Sequence, residues 1–157
     1  MLILLKKTII IYDSMFGNTK RVAESIGDGM SRIENREVLV KEIKQVQPME
    51  VFDYDMILIG SPNHMGGPTR GIKKLIDKFG KMGLAEKKGA VFDTYVKKNV
   101  GKAVRKMEKR INEKVPGLKL VTTGLSVKVG GIRGPIAEGE LSKSIEFGKR
   151  ILKQMIA

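Results

Sequence analysis

The chain has 157 residues, of which 41% are hydrophobic and 30% are charged, and its formal net charge at pH 7 is +13. It has no cysteine and one histidine, which excludes disulfides, thiolate metal sites, a cysteine nucleophile and a multi-histidine metal site. The length and composition predict a single globular domain over residues 1–157, and the short opening run MLILL predicts a cytoplasmic protein rather than a secreted one.

Predicted strands and helices alternate in the first half of the chain. Strands are predicted at residues 8–12, 37–43 and 56–60, because these runs are apolar and rich in β-branched residues. Two helices are predicted because apolar residues recur at helical spacing. Their buried stripes are Val22, Ile26, Met30 and Ile33 in the first helix, and Ile72, Leu75, Ile76 and Phe79 in the second.

The same alternation continues in the second half, with a fourth strand predicted at residues 89–93 and a fifth within residues 118–129. The helix between them ends before Pro116 and Gly117, and its predicted stripe is Val100, Val104, Met107 and Ile111. The final helix follows the acidic sequence AEGE, and its stripe is Leu141, Ile145, Leu152 and Met155. Five consecutive β/α units predict an α/β fold, a doubly wound five-stranded parallel sheet with helices on both faces.

Three loops at one edge of this sheet form the candidate site. Ligands of doubly wound sheets bind beyond the carboxyl ends of the strands. The loops after strands one, three and four reach that edge, and their sequences are DSMFGNT, GSPNHMGGPTR and DTYVKKN. They are rich in glycine and in small polar residues, whereas the loops at the opposite edge are less distinctive.

The first of these loops has the chemistry of a phosphate site. A helix N-terminus offers unpaired backbone N–H groups and a partial positive charge, and Ser14, Asn18 and Thr19 add donors. Gly17 can take the positive φ that curls a loop around an anion. The same residues also fit an alternative in which Ser14 or Asn18 only caps the helix. The chain has neither a Walker loop nor a G-x-G-x-x-G dinucleotide motif.

Four segments of the chain resemble the flavodoxin family. SMFGNTKRVAESI is similar to the phosphate loop of that family and GSPNHMGGPTRGIKKLID to its second flavin loop, while VFDTY and GPIAEGEL resemble later family segments. They occur in the order of the family and span nearly the whole chain. The resemblance implies a flavodoxin-like fold with strand order 2-1-3-4-5, a short-chain form, and noncovalently bound flavin mononucleotide (FMN).

The resemblance also implies which residues contact FMN. The phosphate would be held by Ser14, Met15, Phe16, Gly17, Asn18 and Thr19. The flavin ring would be bordered on one side by Pro62, Asn63, His64, Met65, Gly66 and Gly67, and on the other by Asp93, Thr94 and Tyr95. No catalytic residue and no metal site is expected.

The chain has no tryptophan, so the pair of aromatic residues that encloses the flavin in many flavodoxins is not expected here. Tyr95 is the candidate stacking residue, and His64 or Met65 would cover the opposite face of the ring. The alternatives are that Tyr95 only packs against the protein and that His64 is a polar loop residue without a chemical task.

Gly66 carries a separate hypothesis. A flavin that takes up one electron and one proton gains an N–H at N5, which a carbonyl oxygen can accept if its peptide turns. Glycine allows that turn at low cost. We therefore expect the peptide around Gly66 to favour the one-electron-reduced flavin.

The positive charge is the main departure from the family, whose members are usually acidic. Cationic residues follow the second and third loops: Arg70, Lys73, Lys74, Lys97, Lys98, Lys102, Arg105, Lys106, Lys109 and Arg110. Many of them would simply face water. Cations near a flavin ease its full reduction and favour an acidic redox partner. A nucleic acid partner is not expected, because no aromatic platform accompanies the basic residues.

Three functions fit these patterns. The leading interpretation is a flavodoxin, an FMN-binding electron-transfer protein that shuttles electrons between redox partners. The alternative is an FMN-dependent NAD(P)H:quinone oxidoreductase or a related flavodoxin-like oxidoreductase, so whether the chain is an enzyme stays open. The third is a binding module that keeps the fold without flavin, and the phosphate-like loop argues against it. The oligomeric state also stays open.

Overall fold

A computed structural model describes residues 6–32 and 36–156 of the chain. Two short 3-10 helices, Ile43–Gln45 and Pro48–Asp53, lie between the second and third strands. The remaining elements are, in chain order, β1 (Lys6–Tyr12), α1 (Asn18–Met30), β2 (Arg36–Glu42), β3 (Met56–Pro62), α2 (Arg70–Met82), β4 (Lys87–Tyr95), α3 (Lys102–Lys114), β5 (Leu118–Leu120), β6 (Leu125–Lys128) and α4 (Glu140–Ile156).

The described strands form one parallel sheet in the order β2-β1-β3-β4-β5. This order confirms the predicted doubly wound fold. β1 lies inside the sheet, where Ile10 is paired with Val40 on one side and with Leu58 on the other. The chain reverses its direction of winding between β1 and β3, and ligand crevices open at such points beyond the strand ends.

The predicted fifth strand is present as two segments, and both pair with β4. Leu120 lies opposite Gly89, and Leu125 lies opposite Phe92. The edge strand advances five residues, from Leu120 to Leu125, while β4 advances three, from Gly89 to Phe92. The edge strand therefore contains a bulge of two extra residues. The bulge re-aims the chain before it returns to the ladder at β6.

Alternate side chains of the strands face two apolar layers. Ile9 and Ile57 face α2 and α3, whereas Ile10 and Leu58 face α1 and α4. The predicted stripes of α1 and α2 are confirmed as buried, except for Ile33, which lies outside the described residues. No helix among the described residues combines the length and apolarity needed to cross a membrane.

Two predicted stripes need correction. Val100 is half exposed and precedes α3, because Gly101 takes a left-handed conformation and the helix starts only at Lys102. Ala103 takes its place in the core beside the correctly predicted residues of α3. In α4, Leu141 and Ile145 are only partly buried, and the fully buried apolar side chains are Phe147, Ile151 and Leu152, of which Leu152 was in the predicted stripe. The side chain of Met155 lies outside the described part of the chain.

Candidate functional site

A groove opens at the carboxyl edge of the sheet, where the candidate loops were predicted to meet. It contains about 460 Å³ of empty space, a volume that includes the part open to solvent. Four segments enclose it: the loop after β1, the ends of β3 and β4, and the loop after β6. The lining residues are Ser14, Met15, Phe16, Asn18, Thr19, Pro62, Asn63, Thr94, Tyr95, Val96, Val129, Gly131 and Ile132.

The first loop presents an open helix N-terminus to this groove. Gly17 is the N-terminal cap of α1 and adopts a left-handed φ of 89°, as predicted for a loop curled around an anion. No side chain caps α1. Instead, the Gly17 N–H donates to Ser14 Oγ over 3.0 Å, which leaves the Ser14 hydroxyl proton free to donate elsewhere. The geometry therefore favours an anion site over a helix cap made by Ser14 or Asn18.

A buried pair of hydroxyl groups connects two walls of the groove. Thr19 in the first turn of α1 and Thr94 near the end of β4 lie with their Oγ1 atoms 2.9 Å apart. Both side chains line the groove, and both are nearly inaccessible to solvent. Either hydroxyl can be the donor of this hydrogen bond. If Thr19 donates its proton to an anion in the groove, its oxygen can only accept, and Thr94 must then be the donor.

Asn63 holds three segments of the wall together. Its backbone N–H and its Nδ2 both donate to the Thr94 carbonyl, over 2.9 and 3.1 Å. Its Oδ1 accepts from the Ala103 N–H over 3.0 Å. The end of β3 is thereby fixed to the end of β4 and to the first turn of α3.

Asp93 points away from the groove and under α3. Its Oδ2 accepts from the Val104 N–H over 3.0 Å, and its Oδ1 accepts from the Ser126 hydroxyl. The side chain has no solvent exposure. Burial raises the pKa of Asp93, while hydrogen bonds from Ser126, Val104 and Asn63 and the nearby positive charge of Arg105 oppose that rise. The carboxylate therefore positions the wall of the site.

Residues 64–67 form a tight turn beside the groove. His64 and Gly67 exchange two backbone hydrogen bonds of 2.7 and 3.2 Å. Both central residues have positive φ, 54° at Met65 and 78° at Gly66, which identifies a type I′ turn. Gly66 is well suited to this conformation, whereas Met65 is an uncommon residue at positive φ. A role of the Gly66 peptide towards a flavin stays a prediction.

Nine of the residues predicted for the site line the groove together: Ser14, Met15, Phe16, Asn18, Thr19, Pro62, Asn63, Thr94 and Tyr95. Gly17 is not among the lining residues, but its left-handed conformation sets the turn of the first loop at the start of α1. The side chains of His64 and Met65 are exposed on the neighbouring turn, Gly66 and Gly67 complete that turn, and Asp93 lies beneath the wall. Ligand contacts of all fifteen predicted residues stay predictions.

The sequence analysis missed the loop after β6, which contributes Val129, Gly131 and Ile132 to the groove. Val96, just beyond β4, was also missed. The signal that identifies this loop is its position, because the carboxyl end of the fifth strand reaches the same edge as the other three. Its glycine pair at 130–131 resembles the turn residues by which the other loops were recognised.

The loop after β6 folds back on itself and onto the first loop. Gly130 N–H donates to the Pro135 carbonyl over 2.8 Å, and Arg133 lies over the ring of Phe16 at 5.5 Å. Gly134 approaches Asn18 so closely that a Cβ there would lie 2.9 Å from Asn18 Oδ1. Contact between the two loops completes the wall of the groove.

The residues present fit a ligand that combines a phosphate with a flat apolar ring. The open N-terminus of α1 provides amide donors for the phosphate. Tyr95, Phe16 and Ile132 provide aromatic and aliphatic surface for the ring. Among the described residues, no group of three or more metal-ligating side chains is assembled for a metal ion.

Comparison with known proteins is consistent with this geometry. The flavodoxin family model matches residues 10–146 of the chain. A curated flavodoxin from Aquifex aeolicus (strain VF5) is 34% identical over 71 residues, which cover 45% of this chain and 38% of that protein. The matched segment is thus well under half of that relative.

Two solved structures have the same fold over nearly their full length. A flavodoxin from the domain Archaea has a TM-score of 0.80 at 24% identity and covers 96% of this chain and 99% of its own. Oxidised Flavodoxin 1 from Bacillus cereus has a TM-score of 0.78 at 25% identity and covers 94% of this chain and 98% of its own.

Proposed function

This chain belongs to the flavodoxin family, whose members bind FMN, and we propose that it is an electron-transfer protein that carries electrons between redox partners through that cofactor. The observation that carries the proposal is the open N-terminus of α1 in the wall of the groove. Its uncapped amide groups offer what a phosphate requires. When bound, FMN supplies the ability to take up and release electrons singly.

The first loop binds and orients the phosphate in this proposal. The left-handed Gly17 turns the chain so that the first amides of α1 face the groove. Ser14 and Thr19 donate hydroxyl protons, and Asn18 is held in place by its close approach to Gly134. Met15 and Phe16 shield the phosphate from water at the rim.

The ends of β3 and β4 orient the flavin ring. Tyr95 is our candidate stacking residue, since it lines the groove and is partly exposed. Pro62, Asn63 and Thr94 form the floor, which the hydrogen bonds of Asn63 make rigid. The ring edge would face the turn formed by residues 64–67.

The partner proposed is a redox protein with an acidic docking surface, because opposite charge speeds encounter and orients docking. The net charge of +13 on this chain supports that choice. A single domain over residues 1–157 and a cytoplasmic location remain part of the proposal on the grounds of the sequence.

A visible spectrum tests the cofactor. Protein purified or mixed with FMN is expected to have two flavin absorption bands and quenched flavin fluorescence. Absence of binding after addition of FMN would contradict the proposal and leave only a module that keeps the fold without flavin.

A turnover assay tests the carrier against the enzyme. The FMN-loaded protein is expected to oxidise NADH or NADPH slowly in the presence of a quinone, and to exchange single electrons with redox proteins rapidly. Fast, saturable oxidation of either nucleotide with quinone would instead identify an FMN-dependent NAD(P)H:quinone oxidoreductase.

A further inference from the structure

The rim of the groove has an unusual amount of exposed apolar surface. Ile132 is 74% exposed and Met65 is 93% exposed, and Met15 and Phe16 are also exposed. Three of these side chains line the groove, and Met65 projects from the adjacent turn. Contiguous exposed apolar surface of this kind marks a place where another molecule docks.

A cluster of three cations flanks this rim. A second, open cavity is lined by Met65, Gly66, Lys102, Arg105 and Lys106. The two lysine stems cover the turn: a Cβ on Gly66 would lie 3.8 Å from Lys102 Cδ, and one on Gly67 would lie 3.2 Å from Lys106 Cδ. The apolar stems thus pack on the turn while the ammonium groups reach the water beyond it.

Five of the six cations of α3 fall into two groups, and the sixth, Lys109, lies between them without a salt bridge to any described residue. Near its C-terminal end, Arg110 and Lys114 form salt bridges with Asp77 of α2. By contrast, Lys102, Arg105 and Lys106 form no salt bridge with any described residue. Arg105 acts on the buried Asp93 only through its electric field. The uncompensated charge of α3 is therefore concentrated at the end that adjoins the groove.

Helix stability does not explain this placement. The amide dipoles of a helix disfavour cations near its N-terminus, and α3 has no acidic residue in its first turn. The first amides are already occupied, since Ala103 and Val104 donate to Asn63 and Asp93. Lys102 in the first turn therefore costs α3 stability, and neither it nor Lys106 gains a salt bridge from the described chain in return.

We propose that the apolar rim and this cation cluster together form the docking surface for a redox protein that carries carboxylates around its own redox centre. The proposal rests on the proposed electron-carrier function. Carboxylates of the partner pair with Lys102, Arg105 and Lys106, while the apolar rim permits close approach to the groove. A nucleic acid fits less well, because its phosphate backbone follows a long continuous run of cations, whereas this cluster is bordered by an exposed apolar rim.

The test compares two triple variants of the FMN-loaded protein. The first replaces Lys102, Arg105 and Lys106 with glutamine. The control replaces Lys78, Lys81 and Lys119, three exposed lysines at the opposite edge of the sheet, and removes the same net charge. Equal FMN affinity and far-UV circular dichroism establish that both variants are folded and loaded.

The probes are ferricyanide, with charge −3, and tris(phenanthroline)cobalt(III), with charge +3. Each oxidises the dithionite-reduced protein in a stopped-flow instrument without oxygen, and two one-electron probes are reduced for each FMN that is oxidised. The ratio of the two rate constants is the readout, because a change in flavin potential alters both rates in the same direction. A local field alters them in opposite directions.

The first variant should lower the ratio of ferricyanide to cobalt rate constants by at least about tenfold at low ionic strength, and the control by less than about twofold. The difference should vanish near 0.5 M salt. An acidic plant-type ferredoxin, reduced and mixed with the oxidised protein, should lose rate with the first variant only. Equal effects of the two variants would overturn the proposal.

A duplex DNA oligonucleotide is the second comparison. Binding of DNA that is lost with the first variant, together with an unchanged ratio for the inorganic probes, would assign the cations to nucleic acid and also overturn the proposal. Failure of the carrier function is distinguishable, because a protein without FMN gives no flavin spectrum in any variant.

Discussion

At the scale of single residues, the Thr19–Thr94 pair decides how the first loop meets an anion. A phosphate that accepts from the Thr19 hydroxyl leaves the Thr19 oxygen to accept from Thr94, which lies 2.9 Å away. In the proposed site, Thr94 would then act through Thr19 as a positioning residue for the phosphate. Neither the spacing nor the type of these residues indicated the pairing, because 75 positions separate them in the chain.

Replacing Thr94 with valine removes the hydrogen bond that Thr94 donates to Thr19, the residue that would donate to the phosphate. FMN binding should therefore weaken by about five- to tenfold, which corresponds to the loss of one hydrogen bond. Riboflavin lacks the phosphate, so its affinity should change by less than about twofold. Fluorescence titration with both ligands measures this. Thr94→Ser keeps the hydroxyl and should restore FMN affinity, and an equal loss for FMN and riboflavin would contradict the positioning role.

Thr8 is a second residue whose environment is visible only in the structure. Its side chain is fully buried in β1, and Oγ1 has no hydrogen-bond partner among the described residues. A buried hydroxyl without a partner costs stability, and valine has nearly the same shape. Thr8→Val should therefore raise the free energy of unfolding by about 1 kcal/mol, measured by urea denaturation. A destabilised variant would mean that the hydroxyl has a partner.

At the scale of elements, α1 and α4 are in backbone contact. A Cβ on Gly29 would lie 2.1 Å from the Ile145 carbonyl oxygen, and one on Gly148 would lie 2.2 Å from the Ile26 carbonyl oxygen. Two glycines therefore allow the helices to cross at close range. α1 carries the proposed phosphate site at its other end, so this crossing fixes the position of the site.

Gly29→Ala should destabilise the protein by more than about 2 kcal/mol, because the helix backbones must separate. Gly27→Ala is the matched control in the same helix, where the added Cβ would lie 3.1 Å from the movable Cγ2 of Val40. Alanine is the better helix former in both variants, so the control should stay within about 1 kcal/mol of the natural protein. Chemical denaturation of both variants makes the comparison, and equal effects would exclude the backbone clash.

Asp77 links α2 to α3. Arg110 donates to it twice over 2.8 Å, and Lys114 lies 3.2 Å from it. Arg110 above all lowers the pKa of Asp77 to about 2, compared with about 3.9 in an unfolded chain. Its stabilising contribution is therefore complete above the unfolded value and disappears as the pH falls from about 4 to about 2.

Asp77→Asn should reduce the free energy of unfolding at pH 7 by about 0.5 to 1 kcal/mol, a modest value because the pair is partly exposed. The difference from the natural protein should shrink towards pH 2. Urea denaturation at several pH values measures it. Asp28→Asn changes an exposed carboxylate of α1 without a salt bridge in the described chain and serves as the control. A pH-independent loss would contradict the assignment.

At the scale of the whole molecule, the net charge is +13, and Lys102, Arg105 and Lys106 place part of that charge beside the groove. Full reduction of FMN adds negative charge at the flavin, which nearby cations stabilise. We therefore expect the second reduction potential to be less negative than in an acidic homologue, and to fall by tens of millivolts as the salt concentration rises. Redox titration at about 0.01 and 0.5 M salt tests this. A very low potential that salt does not change would contradict it.

The sequence by itself determined the alternation of strands and helices and the edge of the sheet where the site lies. Hydrophobic periodicity is a local property, and parallel strands bring their carboxyl ends to one edge. Glycine and small polar residues marked three of the loops at this edge, and the resemblance to the flavodoxin family implied the individual residues from Ser14 to Tyr95. The single domain over residues 1–157 stays a prediction.

Only the tertiary structure decided which of those side chains face the groove. Asp93 follows Phe92 and precedes Thr94, yet it turns inward because Val104 and Ser126 supply donors from other elements. The bulge before β6 brings Val129 and Ile132 to the groove, and Asp77 pairs with cations at one end of α3 but not at the other. Each of these outcomes depends on contacts between residues far apart in the chain, which periodicity and local motifs do not encode.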